Sequence, residues 1–93
     1  MLKPTDKITR HPQAILNEEF EDWAILFHPL TGEAIGASPM GVNIWKELDE
    51  PSTVTDIAAS VASRCEVDLS TALEDTLVFL DDLQRKLFVL VEP

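Results

Sequence analysis

The sequence changes its periodicity at Ser38-Pro39, from short β-prone runs to helical spacing, and that change is the strongest constraint on its architecture. Upstream lie short apolar runs separated by turn residues. Ala14–Leu16 predicts a first strand, followed by a polar turn region at Asn17-Glu18-Glu19-Phe20-Glu21-Asp22. Trp23-Ala24-Ile25-Leu26-Phe27 is β-prone and apolar throughout, which predicts an inner strand buried on both faces. His28-Pro29-Leu30-Thr31-Gly32 ends it with proline and glycine. Glu33-Ala34-Ile35-Gly36-Ala37 then predicts a third, weaker strand of small residues, with an approachable backbone at Gly36. Such a strand at the end of a sheet is an edge whose N–H and C=O groups are free to pair.

Downstream the spacing is helical. Ser38 suits an N-cap and Pro39 the first helical position, and Met40, Ile44, Trp45 and Leu48 follow on one face. Asp49-Glu50-Pro51 stops that helix. Ser52 and Thr53 cap the next, where Val54, Ile57, Ala58, Val61 and Ala62 keep the i, i+3, i+4, i+7, i+8 pattern and Asp56 supports the start. Asp68 and Ser70 open a last helix running to about Lys86, and Leu87–Val91 is a final β-prone run. The predicted fold class is therefore α+β: a small antiparallel three-stranded sheet, three helices and a short terminal strand, in a winged helix-turn-helix-like layout. Residues 1–12 are polar, hold two prolines, and are expected to be a flexible arm; residues 13–92 form the domain.

The 93-residue chain carries 17 acids against 7 bases, a formal charge of −10. Three of the bases, Lys3, Lys7 and Arg10, fall in the first ten residues. The body of the domain repels phosphate, which weighs against a nucleic-acid partner. A single cysteine, Cys65, excludes an internal disulfide framework, and the expected location is cytoplasmic. No apolar run approaches the ~20 residues that span a bilayer, so no membrane partner is expected.

No catalytic constellation can be assembled. His11, His28 and Cys65 lack the spacing of a zinc site, so no metal and no cofactor is expected. The acidic run at Glu18–Asp22 lacks the ordered oxygens and glycine of a calcium loop and reads as a solvated turn. Arg64 beside Cys65 could activate the thiol, but a half-buried structural cysteine fits its helix better. As a DNA-reading helix the last one has the wrong sign, with Asp68, Glu74, Asp75, Asp81 and Asp82 against Arg85 and Lys86.

That helix has a broader apolar face than burial on one side requires. Leu69, Ala72, Leu73, Leu77, Phe79, Leu80, Leu83 and Leu87 fill an arc of roughly 160°. A central core helix explains most of it. One margin, carrying Leu73, Thr76, Leu77 and Leu80, is the candidate wall of a groove for a partner peptide.

Five stretches then carry a family resemblance in order. They are Trp23-Ala24-Ile25-Leu26-Phe27-His28-Pro29, Glu33-Ala34-Ile35-Gly36-Ala37-Ser38, Ile44-Trp45-Lys46-Glu47-Leu48-Asp49, Ser52-Thr53-Val54-Thr55-Asp56-Ile57-Ala58 and Phe79-Leu80-Asp81-Asp82-Leu83. From about Pro12 to Val91 the chain resembles the PqqD-like family, the peptide-binding modules also called RiPP recognition elements. Two glycines common in that family are absent: Glu50-Pro51 follows Asp49, and Lys86 precedes the final strand.

The resemblance implies a non-catalytic peptide chaperone, an adaptor and not an enzyme. It would bind the leader of a ribosomally made precursor peptide by strand addition and present it to a modifying, radical-SAM enzyme. The implied peptide-binding residues are Glu33, Ala34, Ile35, Gly36, Ala37 and Ser38 on the third strand, with Leu73, Thr76, Leu77, Leu80 and Asp81 on the last helix. β-Augmentation joins the two parts, because main-chain bonds supply affinity and side-chain pockets supply specificity. A monomer or weak homodimer is expected. Two alternatives stand beside this reading: an acidic winged-helix protein acting in transcription through protein contacts, and a dimerising module that pairs through the same edge.

Overall fold

A computed structural model describes residues 2–18 and 23–92. The order is β1 (Lys7–Arg10), β2 (Ile15–Glu18), β3 (Ala24–Phe27), β4 (Ala34–Ala37), α1 (Pro39–Glu47), β5 (Ser52–Thr53), α2 (Val54–Cys65), α3 (Leu69–Arg85) and β6 (Val89–Val91). The α+β class, the β-to-helix switch at Ser38 and the three helices agree with expectation. Most of the turn expected at Asn17–Asp22 lies outside the described residues, although Asn17 and Glu18 complete β2.

The sheet is not one but two. β2, β3 and β4 form the expected antiparallel meander, in the order β2-β3-β4. β1 pairs with β5 on one side and β6 on the other, making a second antiparallel sheet. The expectation of a flexible arm over residues 1–12 is thus corrected. Lys7-Ile8-Thr9-Arg10 alternates so that Ile8 is fully buried, and Leu2 also joins the core. The carbonyls of Asp6 and Pro4 accept the Val54 and Thr55 N–H groups at 3.1 and 3.0 Å. These donors of the first turn of α2 have no partner within the helix, so the segment is held by an obligatory bond set.

Arg10 fastens this second sheet to α1. Its guanidinium donates from Nε and Nη2 to the Trp45 carbonyl and lies 4.8 Å from the Trp45 ring centroid. Burial lowers the pKa of the guanidinium and the nearby Asp49 carboxylate pulls it back up. α1 is tied to α2 as well: the Ser60 hydroxyl donates to Glu47 at 2.7 Å and Arg64 approaches the same carboxylate at 3.6 Å. The core between these elements contains Ile8, Leu26, Ile44, Trp45, Val54, Ile57, Val61, Leu80, Leu83 and Phe88.

β3 is the central strand of its sheet but is not buried on both faces. Ala24 and Leu26 point into the core, whereas Ile25 and Phe27 face outward with Ile15, and Trp23 is also half exposed. The alternation of buried and exposed residues along β3 means that only one face of this sheet is covered. An apolar run could not reveal that, because the pattern of a strand buried on both faces is identical.

Candidate functional site

β4 is the free edge of its sheet, and the register settles which of its groups are open. The pairs are Ala24 with Ala37, Ile25 with Gly36, Leu26 with Ile35 and Phe27 with Ala34. In the same register the His28 N–H donates to the Glu33 carbonyl at 3.0 Å. Bonded and non-bonded pairs alternate in an antiparallel ladder, so Ile35 and Ala37 face β3 with their backbone groups. Ala34 and Gly36 therefore direct their N–H and C=O groups away from the sheet. β4 is the last strand of its sheet, and a Cβ added at Gly36 would meet nothing within 4 Å, so the outer face of the sheet is also uncrowded there.

The β3–β4 turn holds this edge in place. Gly32 adopts φ +78°, a conformation most side chains resist, and its N–H donates to the His28 carbonyl at 2.8 Å. His28 itself is buried. Its Nδ1 accepts the Leu30 N–H at 3.3 Å, its ring lies 4.5 Å from that of His11, and it meets Phe88 edge-on at 5.6 Å. His28 is thus a packing residue beneath the hairpin. At the other end of β4, Ser38 caps α1, its Oγ accepting the Gly41 N–H at 3.3 Å. Cys65 is equally occupied: Asn43 Nδ2 donates to its Sγ at 3.6 Å between α1 and α2.

The side of α3 next to β4 is set by Phe79. Its ring packs against Ala24, Ala37 and Val42, and a Cβ on Gly41 would lie 3.1 Å from its Cζ. Glycine in the first turn of α1 thus lets the ring slide under the end of β4. Ser38, Met40, Gly41, Ile44, Asp75 and Phe79 enclose a hollow of about 220 Å³ there. A second hollow continues from Asp75 and Phe79 along α3 past Glu74, Val78, Asp82 and Arg85.

The expected residues divide accordingly. Glu33–Ser38 form and flank the open edge. Thr76 and Leu80 are fully buried inside α3 and so are core, not a solvent-facing groove wall. Leu73 is half-buried against the core, while Leu77 and Asp81 line a separate hollow with Leu2. Leu77 and Phe79 differ by about 200° around a helix, so they border opposite flanks of α3. The margin of α3 beside the end of β4 is thus not the one carrying Leu73, Thr76, Leu77 and Leu80 but the one carrying Asp75 and Phe79. Both margins have the same helical phase relation to the core, and only the small residue at Gly41 hints at which is closely approached.

An open strand edge beside a helix-lined groove defines a class of peptide-docking module. Residues 24–89 match the family described as coenzyme PQQ synthesis protein D (PqqD), and the chain belongs to that family. Among solved structures it is similar to one described as TbiB1 in complex with the TbiA(beta) leader peptide. The TM-score is 0.74 and the identity 25%, covering 87% of this chain and 93% of that one. No protein of curated function matches the sequence significantly. The resemblance drawn from the five sequence stretches is borne out.

Proposed function

We propose that this protein binds the leader segment of a ribosomally made precursor peptide as an additional strand on β4 and presents it to a modifying enzyme. The observation that carries the reading is the open edge of β4, with the backbone groups of Ala34 and Gly36 directed outward, and the hollow over Phe79 that begins at Ser38, the residue after β4. Membership of the PqqD family and the likeness to TbiB1, described in complex with a leader peptide, support it. The role is that of a non-catalytic adaptor, consistent with the structural employment of both His28 and Cys65. The partner enzyme is proposed to be of the radical-SAM class. Of the expected contact set, Glu33–Ser38 are retained; on α3 the proposal moves to Asp75, Val78 and Phe79.

The test is titration of ¹⁵N-labelled protein with the leader of the precursor peptide. Amide shifts should concentrate in Glu33–Ser38 and at Asp75, Val78 and Phe79. Shifts confined to the Leu2, Leu77 and Asp81 flank, or none at saturating peptide, would reject the site.

A further inference from the structure

We propose that the hollow between the start of α1 and α3, which opens at Ser38 at the end of β4, selects a peptide in which a basic side chain lies next to the apolar residue that fills it. The inference rests on the peptide-binding reading above and adds the chemistry of the occupant. A volume of about 220 Å³ is small beside ligand pockets of roughly 300–1,000 Å³ and suits one side chain of an extended segment. Met40, Ile44 and Phe79 make its lining apolar, so the anchor is an apolar residue.

The wall of the hollow differs from its floor. Asp75 borders both this hollow and the one that continues along α3, and Glu74 stands beside it. Farther along, each charge is matched: Arg85 pairs with Asp81 at 3.2 Å and Lys86 with Asp82 at 3.4 Å. Among the described residues, Glu74 and Asp75 have no cation partner. They belong to a chain of net charge −10, so no general positive field offsets them. Asp75 shares its hollow with Ser38, the residue that follows β4, so a peptide strand paired at Ala34 and Gly36 and continuing past Ser38 would bring alternate side chains to this wall. Lysine or arginine one or two positions from the anchor is the complement of this surface.

The test uses a random dodecapeptide library displayed on phage and selected against the full chain. Enriched peptides should carry Lys or Arg within two positions of an apolar anchor. The best of them, made synthetically, should bind Asp75→Asn and Glu74→Gln about two- to fivefold more weakly each. Glu50→Gln, an equal charge change on an exposed residue, should leave affinity unchanged. Gly36→Pro, which removes an outward N–H, reports whether a peptide occupies β4. Peptides sensitive to Gly36→Pro but without basic residues, or indifferent to Asp75→Asn, overturn this inference and leave the peptide-binding reading intact. Absence of any peptide sensitive to Gly36→Pro overturns both.

Discussion

At the residue scale, two positions hold strain that the sequence does not advertise. Glu66 ends α2 at φ 54°, ψ 45°, the left-handed region, and Leu87 sits at φ 65° after α3. There the Cβ of a non-glycine residue crowds the following carbonyl oxygen, at a cost of roughly 1–2 kcal/mol. Glu66 also places a negative charge at the negative end of a helix. Glu66→Gly should therefore raise stability by about 1 kcal/mol, read as a higher urea midpoint at unchanged m-value. Thr76 lies inside α3 with its Oγ1 buried and unpaired among the described residues. Thr76→Val keeps the shape and removes the hydroxyl, so stability should rise by about 1 kcal/mol with peptide affinity unchanged. A loss of affinity in that variant would return Thr76 to the groove.

At the element scale, the decisive pieces are β1 and β4. If β1 is a strand of the core, Ile8→Ala should cost about 2–4 kcal/mol in chemical denaturation, whereas a residue of a free arm would cost almost nothing. For β4 the prediction turns on parity. Ala34→Pro and Gly36→Pro delete outward N–H groups, which an edge tolerates, so the thermal midpoint should stay within about 5 °C of wild type. Peptide binding should nevertheless weaken about tenfold, the worth of one or two hydrogen bonds. Ile35→Pro and Ala37→Pro delete ladder bonds to β3 and should destabilise the domain itself. If all four variants behaved alike in stability and binding, the assigned register of the edge would be wrong.

At the scale of the whole molecule, charge decides between peptide and nucleic acid. The helix-turn-helix-like layout could present α3 to a groove of DNA, but seventeen acids face seven bases, and Asp75, Asp81 and Asp82 lie on that helix. Phosphate contacts supply most non-specific duplex affinity. Binding of a duplex oligonucleotide should therefore stay weaker than about 1 mM at roughly 0.15 M salt in a fluorescence-anisotropy titration. Micromolar, salt-sensitive binding would instead favour a role in transcription.

Local chemistry in the sequence determined the helices and the edge. Ser38-Pro39, Thr53 with Asp56, and the apolar spacing of α2 and α3 are short-range signals that act wherever the chain folds. The hairpin turn at His28–Gly32 and the small residues of Ala34–Ala37 are of the same kind. Long-range pairing decided the rest. Lys7–Arg10 becomes a strand only because Val89–Val91 and Ser52–Thr53 return to meet it. Trp23–Phe27 is covered on one face only because the core that Leu26 joins lies on that face and no element lies on the other among the described residues. Which margin of α3 borders the open edge depends on a rotation about the helix axis, and that rotation was set by Phe79 packing onto Gly41 and Ala37. Helical periodicity defines an apolar arc but is blind to which neighbour each margin meets, so the groove could be half read before the chain was folded.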